Sequence, residues 1–369
     1  MSEPIYHGAG IEALADIEIL LLARLVSTRS ESGNEEPACR LLASMLPDLG
    51  WERVEIDEAG SVVARRGSGE KELLLLGHID TVPGGPEARL EGDTLWGRGS
   101  VDAKGPLCTF AVAGGSVDVP REWRITLVAA VGEEANSIGT RTRLPLHKPD
   151  ACIIGEPSGT DGVTIAYRGS LWLKLHAEDG GAHLSGDGGP LTATLRAAAK
   201  ILDEVEALDD PQKPVIERHS GAVAAMSGRD EGEREASILL NLRIPLGVRP
   251  EDMVELASQA AHACGVTLEV VEATPPHAES KDNIVVRALR TAIRMKGCKP
   301  RLLAKGGTAD FNLAAQWGCP MAAYGPGDSH LDHTSEERIS LSDYLKAIDI
   351  LREALRLIMT YGDDKLRAV

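Results

Sequence analysis

The chain has 369 residues, 43% of them hydrophobic and 3% aromatic, with a formal net charge of −17. This length supplies ample core for about two domains, packed mainly on Leu, Val, Ile and Ala. The acidity argues against nucleic acid, since no basic stripe is available to neutralise phosphates. No apolar run approaches the roughly 20 residues of a membrane span, and MSEPIYHGAG lacks the charged and apolar pattern of a signal segment, so a cytoplasmic protein is expected. The six cysteines, at 39, 108, 152, 264, 298 and 319, show no CxxC spacing. Their apolar or helical contexts predict reduced, packed thiols.

In chain order, a helix is predicted around Gly10 to Leu25, then the turn and cap region STRSESGNEE, then a helix reaching about Leu49. Strands at Val54 to Ala64, Leu73 to His78, Ile125 to Val131 and Ala151 to Ile154, separated by helical stretches, predict an α/β domain with a mixed, mainly parallel sheet. From Ala166 to about Glu272 the texture changes. It reads as strand (Gly169 to Ala177), helix (Leu191 to Leu208), strand (Ser237 to Pro245), helix (Pro250 to Cys264) and strand (Val266 to Val271). This βαββαβ-like order predicts an inserted α+β, ferredoxin-like domain over 166–273, within a discontinuous domain of 1–165 and 274–369.

The first predicted buried strand ends as LLLLGHID. A run of four leucines reads as a strand buried on both faces, and such sheets place ligands at the carboxyl ends of their strands. His78 stands at that end, with Asp80 able to accept the ring proton that a metal-ligating imidazole must give away. The competing reading of an isolated HxD is a buried histidine bonded to a neighbouring loop. GRGSVDAKG then offers Asp102, whose two oxygens can bridge cations about 3.5 to 4 Å apart, or which can cap a helix over Pro106 to Ala113.

ITLVAAV stops at Gly132, Glu133 and Glu134. Adjacent carboxylates at the end of an apolar strand repel one another, a cost that cations relieve; alternatively they are a solvated pair at a helix start. One of them can ligate a metal while the other takes a proton from water. ACIIGEP repeats the pattern with Glu156. The loop YGPGDSHLDHTSEER brings His330 and His333, either of which can supply a second imidazole, and Glu337, one predicted helical turn beyond His333, can orient its ring. The set His78, Asp102, Glu134, Glu156 and a late histidine offers nitrogen and oxygen but no thiolate. It suits zinc, cobalt or manganese in an open catalytic site, with Glu133 as general base and the hydrolysis of an amide as the reaction. In the insert, His183 lies in the glycine-rich loop GGAHLSGDGG, either exposed and adaptable or an incidental turn residue.

GHIDTVPGG, GRGSVDAKG, VGEEANSIGT, IIGEPSG and DHTSEER, in this order over most of the chain, resemble the dinuclear-zinc amidohydrolases of the M20 peptidase class. The resemblance implies two Zn2+ (or Co2+) per subunit. His78 and Glu156 would hold one, Glu134 and His333 the other, and Asp102 would bridge them. Asp80 would buttress His78, and Glu133 would be the base. The insert would act as lid and dimer interface. His183 would donate to the oxyanion, in its own site or a partner's, and Asn241, Arg243, Gly306, Gly307 and Thr308 would contact substrate carboxylate and carbonyl.

Within the class, KGGTADFNLAAQWGCP and MAAYGPGDSHLDHTSEER look most like the lysine/ornithine hydrolases of the amino-group carrier protein pathway. These release lysine or ornithine from the glutamate end of a small acidic carrier. An acidic enzyme would need a local basic patch to dock such a partner, for which Arg168, Lys174, Arg218, Arg229, Arg243 and Lys305 are candidates. The alternatives are an N-acetyl-ornithine or N-acetyl-lysine deacetylase, a glutamate-type carboxypeptidase, or an inactive relative that only binds metal or ligand.

Overall fold

The computed structural model describes residues 5–6, 16–181, 188–229 and 232–366, with side chains described for 16–181, 188–229 and 232–360. They form two compact units, one of 1–165, 279–303 and 313–369, the other of 166–278 and 304–312. Each has its own hydrophobic core.

The first unit is α/β and is built on a mixed sheet. Its four central strands are parallel, in the order Met321–Ala323, Ala151–Gly155, Lys71–His78 and Trp123–Ala130. Residues 72–78 of Lys71–His78 are all buried, which explains why the segment is a continuous apolar run rather than an alternating one. Gly77 pairs with Ala129 on one side and Gly155 on the other, so the carboxyl ends of three strands lie level. The helix Lys104–Ser116 is buried over nearly its whole surface, as its apolar composition requires.

The predicted strand Val54 to Ala64 is instead an antiparallel hairpin, Arg53–Ile56 and Val62–Gly67. Asp57 folds the chain: its Oδ1 accepts from the N–H groups of Ala59 and Ser61, and Gly60 supplies φ +96°.

The amino end of Lys71–His78 carries a buried polar network around Glu72. Its Oε1 accepts from Thr126 Oγ1 at 2.6 Å and lies 3.1 Å from His147 Nδ1, while Oε2 accepts from Arg124 Nη2 at 3.3 Å. Burial pushes this carboxyl up, but the bonds from His147, Thr126 and Arg124 outweigh burial and bring it from 4.5 down to about 2. A folded pKa below the unfolded one stabilises the fold above the unfolded value, and that stability is lost as pH falls through the folded one. Glu72→Gln is therefore expected to lower the unfolding midpoint by several degrees at neutral pH, with wild type and variant converging between pH 4.5 and 2. A gap that does not change with pH would contradict this account of the network.

The second unit is an antiparallel sheet in the order Ser220–Arg229, Arg234–Ile244, Gly169–Asp179, Thr267–Thr274, covered by the helices Gly189–Leu208 and Pro250–Ala263. Arg234–Ile244 alternates buried with less buried positions, the signature of a sheet with one covered face. Ser220–Arg229 was not expected from sequence. SGAVAAMSGR carries no apolar alternation because the strand is exposed along its whole length. Residues 274–278 and 304–312 fall in this unit rather than with the flanking segments. Arg168 draws them in: its N–H donates to Lys305 O and its Nε to Gly306 O, while Asn312 Nδ2 donates to Arg168 O and Pro275 O.

Candidate metal centre

The level strand ends bring His78, Glu133, Glu134 and Glu156 to one edge of the parallel sheet, where α/β proteins bind ligands. The turn before Lys104–Ser116 adds Asp102, and the loop after Met321–Ala323 adds His333. Three groupings have ligand atoms all within 4.8 Å of one another: His78 with Asp102 and Glu156, Asp102 with Glu134 and His333, and His78 with Glu133 and Glu134. Asp102 joins the first two. Its Oδ1 lies 3.3 Å from His78 Nε2, and its Oδ2 lies 3.1 Å from His333 Nε2. His333 Nε2 is also 2.8 Å from Glu134 Oε1, and His78 Nε2 is 4.0 Å from Glu156 Oε1. The Asp102–Ala103 peptide is cis.

Asp80 braces this arrangement. Its carboxylate accepts from Glu133 N and Glu134 N, each at 3.0 Å, and from Ser32 Oγ at 2.7 Å. His78 Nδ1 lies 3.0 Å from the main-chain carbonyl of Asp80 and 3.5 Å from its carboxylate. A carbonyl can only accept, so Nδ1 carries a proton and Nε2 is the ring atom turned to Asp102 and Glu156.

The site is electrostatically one-sided, with five carboxylates facing two imidazoles. Bonds to Asp102 and Glu134 push the His333 imidazole up to about 10 against the depressing effect of burial. Burial lowers the His78 pKa, but Asp102 and Asp80 more than reverse it and hold the ring well above its ordinary range. Burial raises Asp102, and the two imidazoles outweigh that and hold it well below the usual carboxylate range. Such a cage favours positive charge, as protons or as cations. Nitrogen and oxygen donors without thiolate, gathered within 4.8 Å of one another, fit zinc, cobalt or manganese.

His330 belongs to none of the three groupings. Nor does Glu337 orient the His333 ring: residues 331–337 form turns rather than a helix, and the Glu337 carboxylate accepts instead from the N–H groups of Val101 and Asp102. Ser32 and Arg98 were not singled out from the sequence, because both act on main-chain or carboxylate atoms of segments remote in the chain.

His183 lies outside the described residues. The other predicted substrate residues lie in the second unit. Arg243 Nη1 donates to Thr308 Oγ1 at 3.1 Å, Thr308 Oγ1 donates to Arg168 O at 2.9 Å, and Asn241 Nδ2 donates to Ser170 Oγ at 2.8 Å. Gly306 O takes the Arg168 Nε bond, and around Gly307 there is open space. Burial lowers the Arg168 and Arg243 pKa values, and Arg243 and Arg218 lower Arg168 further. Among the described residues, neither Arg168 nor Arg243 forms an ion pair with a carboxylate.

Residues 74–357 match peptidase family M20/M25/M40. The LysW-lysine hydrolase of Deinococcus radiodurans is 37% identical over 345 residues, covering 91% of this chain and 95% of the relative. The LysW-lysine/LysW-ornithine hydrolase of Saccharolobus islandicus is 30% identical, covering 88% and 90%. Among solved structures, the M20 family metallo-carboxypeptidase Sso-CP2 from Sulfolobus solfataricus has a similar fold, with a TM-score of 0.76 at 19% identity over 93% of this chain and 99% of that one. The chain belongs to peptidase family M20/M25/M40 and is a hydrolase of that family.

Proposed function

We propose that this chain is a dinuclear metal amide hydrolase, using zinc or cobalt, that releases lysine or ornithine from the glutamate terminus of a small acidic amino-group carrier protein. The observation that carries the chemistry is Asp102, with one oxygen toward His78 and the other toward His333. The substrate reading is supported by the relatives named as LysW-lysine and LysW-ornithine hydrolases.

His78 and Glu156 would hold one ion, and Glu134 and His333 the other, with Asp102 shared. When bound, the two cations supply Lewis acidity for the scissile carbonyl and for the attacking water. Glu133 takes a proton from that water and passes it to the leaving nitrogen. The amide C–N bond breaks as a C–O bond forms, so the amino acid leaves as an amine and the carrier regains a glutamate carboxylate. Asp80 fixes where Glu133 and Glu134 point by accepting from their N–H groups. His183 is proposed as the oxyanion donor. Asn241, Arg243, Gly306, Gly307 and Thr308 are proposed as contacts to substrate carboxylate and carbonyl, a reading favoured by the buried Arg168 and partly buried Arg243 guanidiniums, which form no ion pair with a carboxylate among the described residues.

The insert is proposed as lid and dimerisation domain. Among the described residues, Ser220–Arg229 is a sheet edge paired on one side only, with Val223 47% and Met226 59% exposed, a surface suited to pairing with a second copy. A monomeric mass by light scattering would remove that part. No helix among the described residues is long and apolar enough to cross a membrane, and all six cysteines are free, which suits the cytoplasm.

The metal requirement has a direct test. Dialysis against a strong chelator should abolish amide hydrolysis, and two equivalents of zinc or cobalt should restore it. Full activity in the stripped protein would remove the site reading altogether.

A further inference from the structure

We infer that Arg98 and Glu337 are positioning residues that set the spacing between Asp102 and His333, an inference that rests on the metal assignment just proposed. Glu337 is fully buried, and its two oxygens serve different groups of the turn 97–103. Oε1 accepts from the N–H groups of Val101 and Asp102 at 3.0 and 3.1 Å, and Oε2 accepts from Arg98 Nη1 at 2.5 Å. The main-chain carbonyl of Glu337 takes Gly97 N at 3.2 Å. The same guanidinium donates from Nη2 to His333 O at 3.3 Å and from Nε to Gly84 O at 3.2 Å. One charge pair thus clips together the loop after His78, the turn carrying Asp102 and the loop carrying His333.

Two backbone features agree with this role. His333 has φ +62°, a left-handed conformation that a side-chain-bearing residue seldom adopts, and the Arg98 bond to its carbonyl holds it there. Gly85 has φ +92°, and a Cβ on it would lie 2.6 to 2.9 Å from three atoms of the Arg98 guanidinium. The guanidinium therefore lies flat against a backbone that only glycine leaves open. A planar fork with five donors can reach three acceptors at once, which a lysine ammonium on the same stem cannot do with the same geometry.

Neither residue belongs to any of the three groupings of candidate ligands. Their influence passes through the main chain of Asp102 and His333, the two residues whose Nε2 and Oδ2 atoms must stay in register. Small displacements of ligands that share a cation are costly, and outer partners of metal ligands commonly change metal affinity by about 10- to 100-fold.

The test is zinc retention by wild type, Arg98→Lys, Glu337→Gln and Gly85→Ala, each dialysed against a graded zinc-chelating buffer. Circular dichroism and unfolding midpoints of the metal-free proteins serve as the structural control. The expected result is that the variants, folded as wild type, hold zinc about 10- to 100-fold more weakly and fall from two equivalents toward one, with kcat reduced more than KM. Gly85→Ala displaces the guanidinium without altering either member of the pair, so it reports even if Arg98→Lys or Glu337→Gln folds poorly. Wild-type zinc retention in the folded variants, with only the unfolding midpoint lowered, would overturn the inference by making the pair merely structural. A wild-type protein that retains no zinc would overturn the metal assignment itself, and the wild-type arm alone reveals that failure.

Discussion

Glu133→Gln is expected to lower kcat by at least about a hundredfold while leaving two equivalents of metal bound. Glutamine keeps the size and shape of the side chain but cannot take a proton from water or return one to the leaving amine. The substitution leaves the backbone anchor untouched, since Glu133 N donates to Asp80 Oδ1 whatever the side chain. The carboxylates of Asp102 and of Glu134, the neighbour of Glu133, lie 3.1 and 2.8 Å from His333 Nε2. Metal analysis beside steady-state kinetics separates the roles. Turnover near the wild-type level would remove Glu133 as the base, and loss of metal would make it a ligand instead.

Asp102→Asn addresses the shared carboxylate. An amide presents one acceptor oxygen where Asp102 presents two, and its nitrogen would face one of the two imidazoles with hydrogens only. Removal of an outer partner of a metal ligand already costs about 10- to 100-fold, so removal of a shared ligand should cost more than about a hundredfold in activity, together with at least one equivalent of metal. The metal-free variant gives an independent readout. His333 is held up at about 10 chiefly by its bond to Asp102, so its titration should move down toward the ordinary imidazole range, as followed by the ring proton resonances. Unchanged metal content and an unchanged His333 titration would contradict the bridging geometry.

Three of the proposed ligand positions, His78, Glu134 and Glu156, were legible in the sequence because each stands at the end of a buried strand, whereas Asp102 and His333 were read from glycine-rich or turn-forming segments. A chain that buries both faces of a strand must write it as an unbroken apolar run, so LLLLG, ITLVAAV and ACIIG announce their own carboxyl ends and the acids that follow. The same reasoning failed where burial was absent. Ser220–Arg229 is exposed on both faces, so its composition of Ala, Gly and Ser carries no periodic signal. The Val54 to Ala64 reading merged two strands because the turn between them is made by one aspartate bonding its own backbone, which apolar periodicity does not register.

The supporting shell was less visible still. Ser32 reaches Asp80 across 48 positions and Arg98 reaches Glu337 across 239, and both act on atoms that every carboxylate or peptide carries. Local spacing did suggest a role for Glu337, but the wrong one, because it assumed a helix where the chain makes successive turns. Its carboxylate steadies the Asp102 turn and not the His333 ring.

We propose that these residues hydrolyse an amide borne by a carrier protein. The most direct test is the rate of amine release, by zinc- or cobalt-loaded protein, from two matched substrates: lysine linked to the terminal glutamate of the acidic carrier, and free N-acetyl-lysine. Efficient release from the carrier-borne substrate, abolished by Glu133→Gln, is the predicted result. Efficient release from the free acetylated amino acid alone would contradict the claim and reassign the chain as a deacetylase.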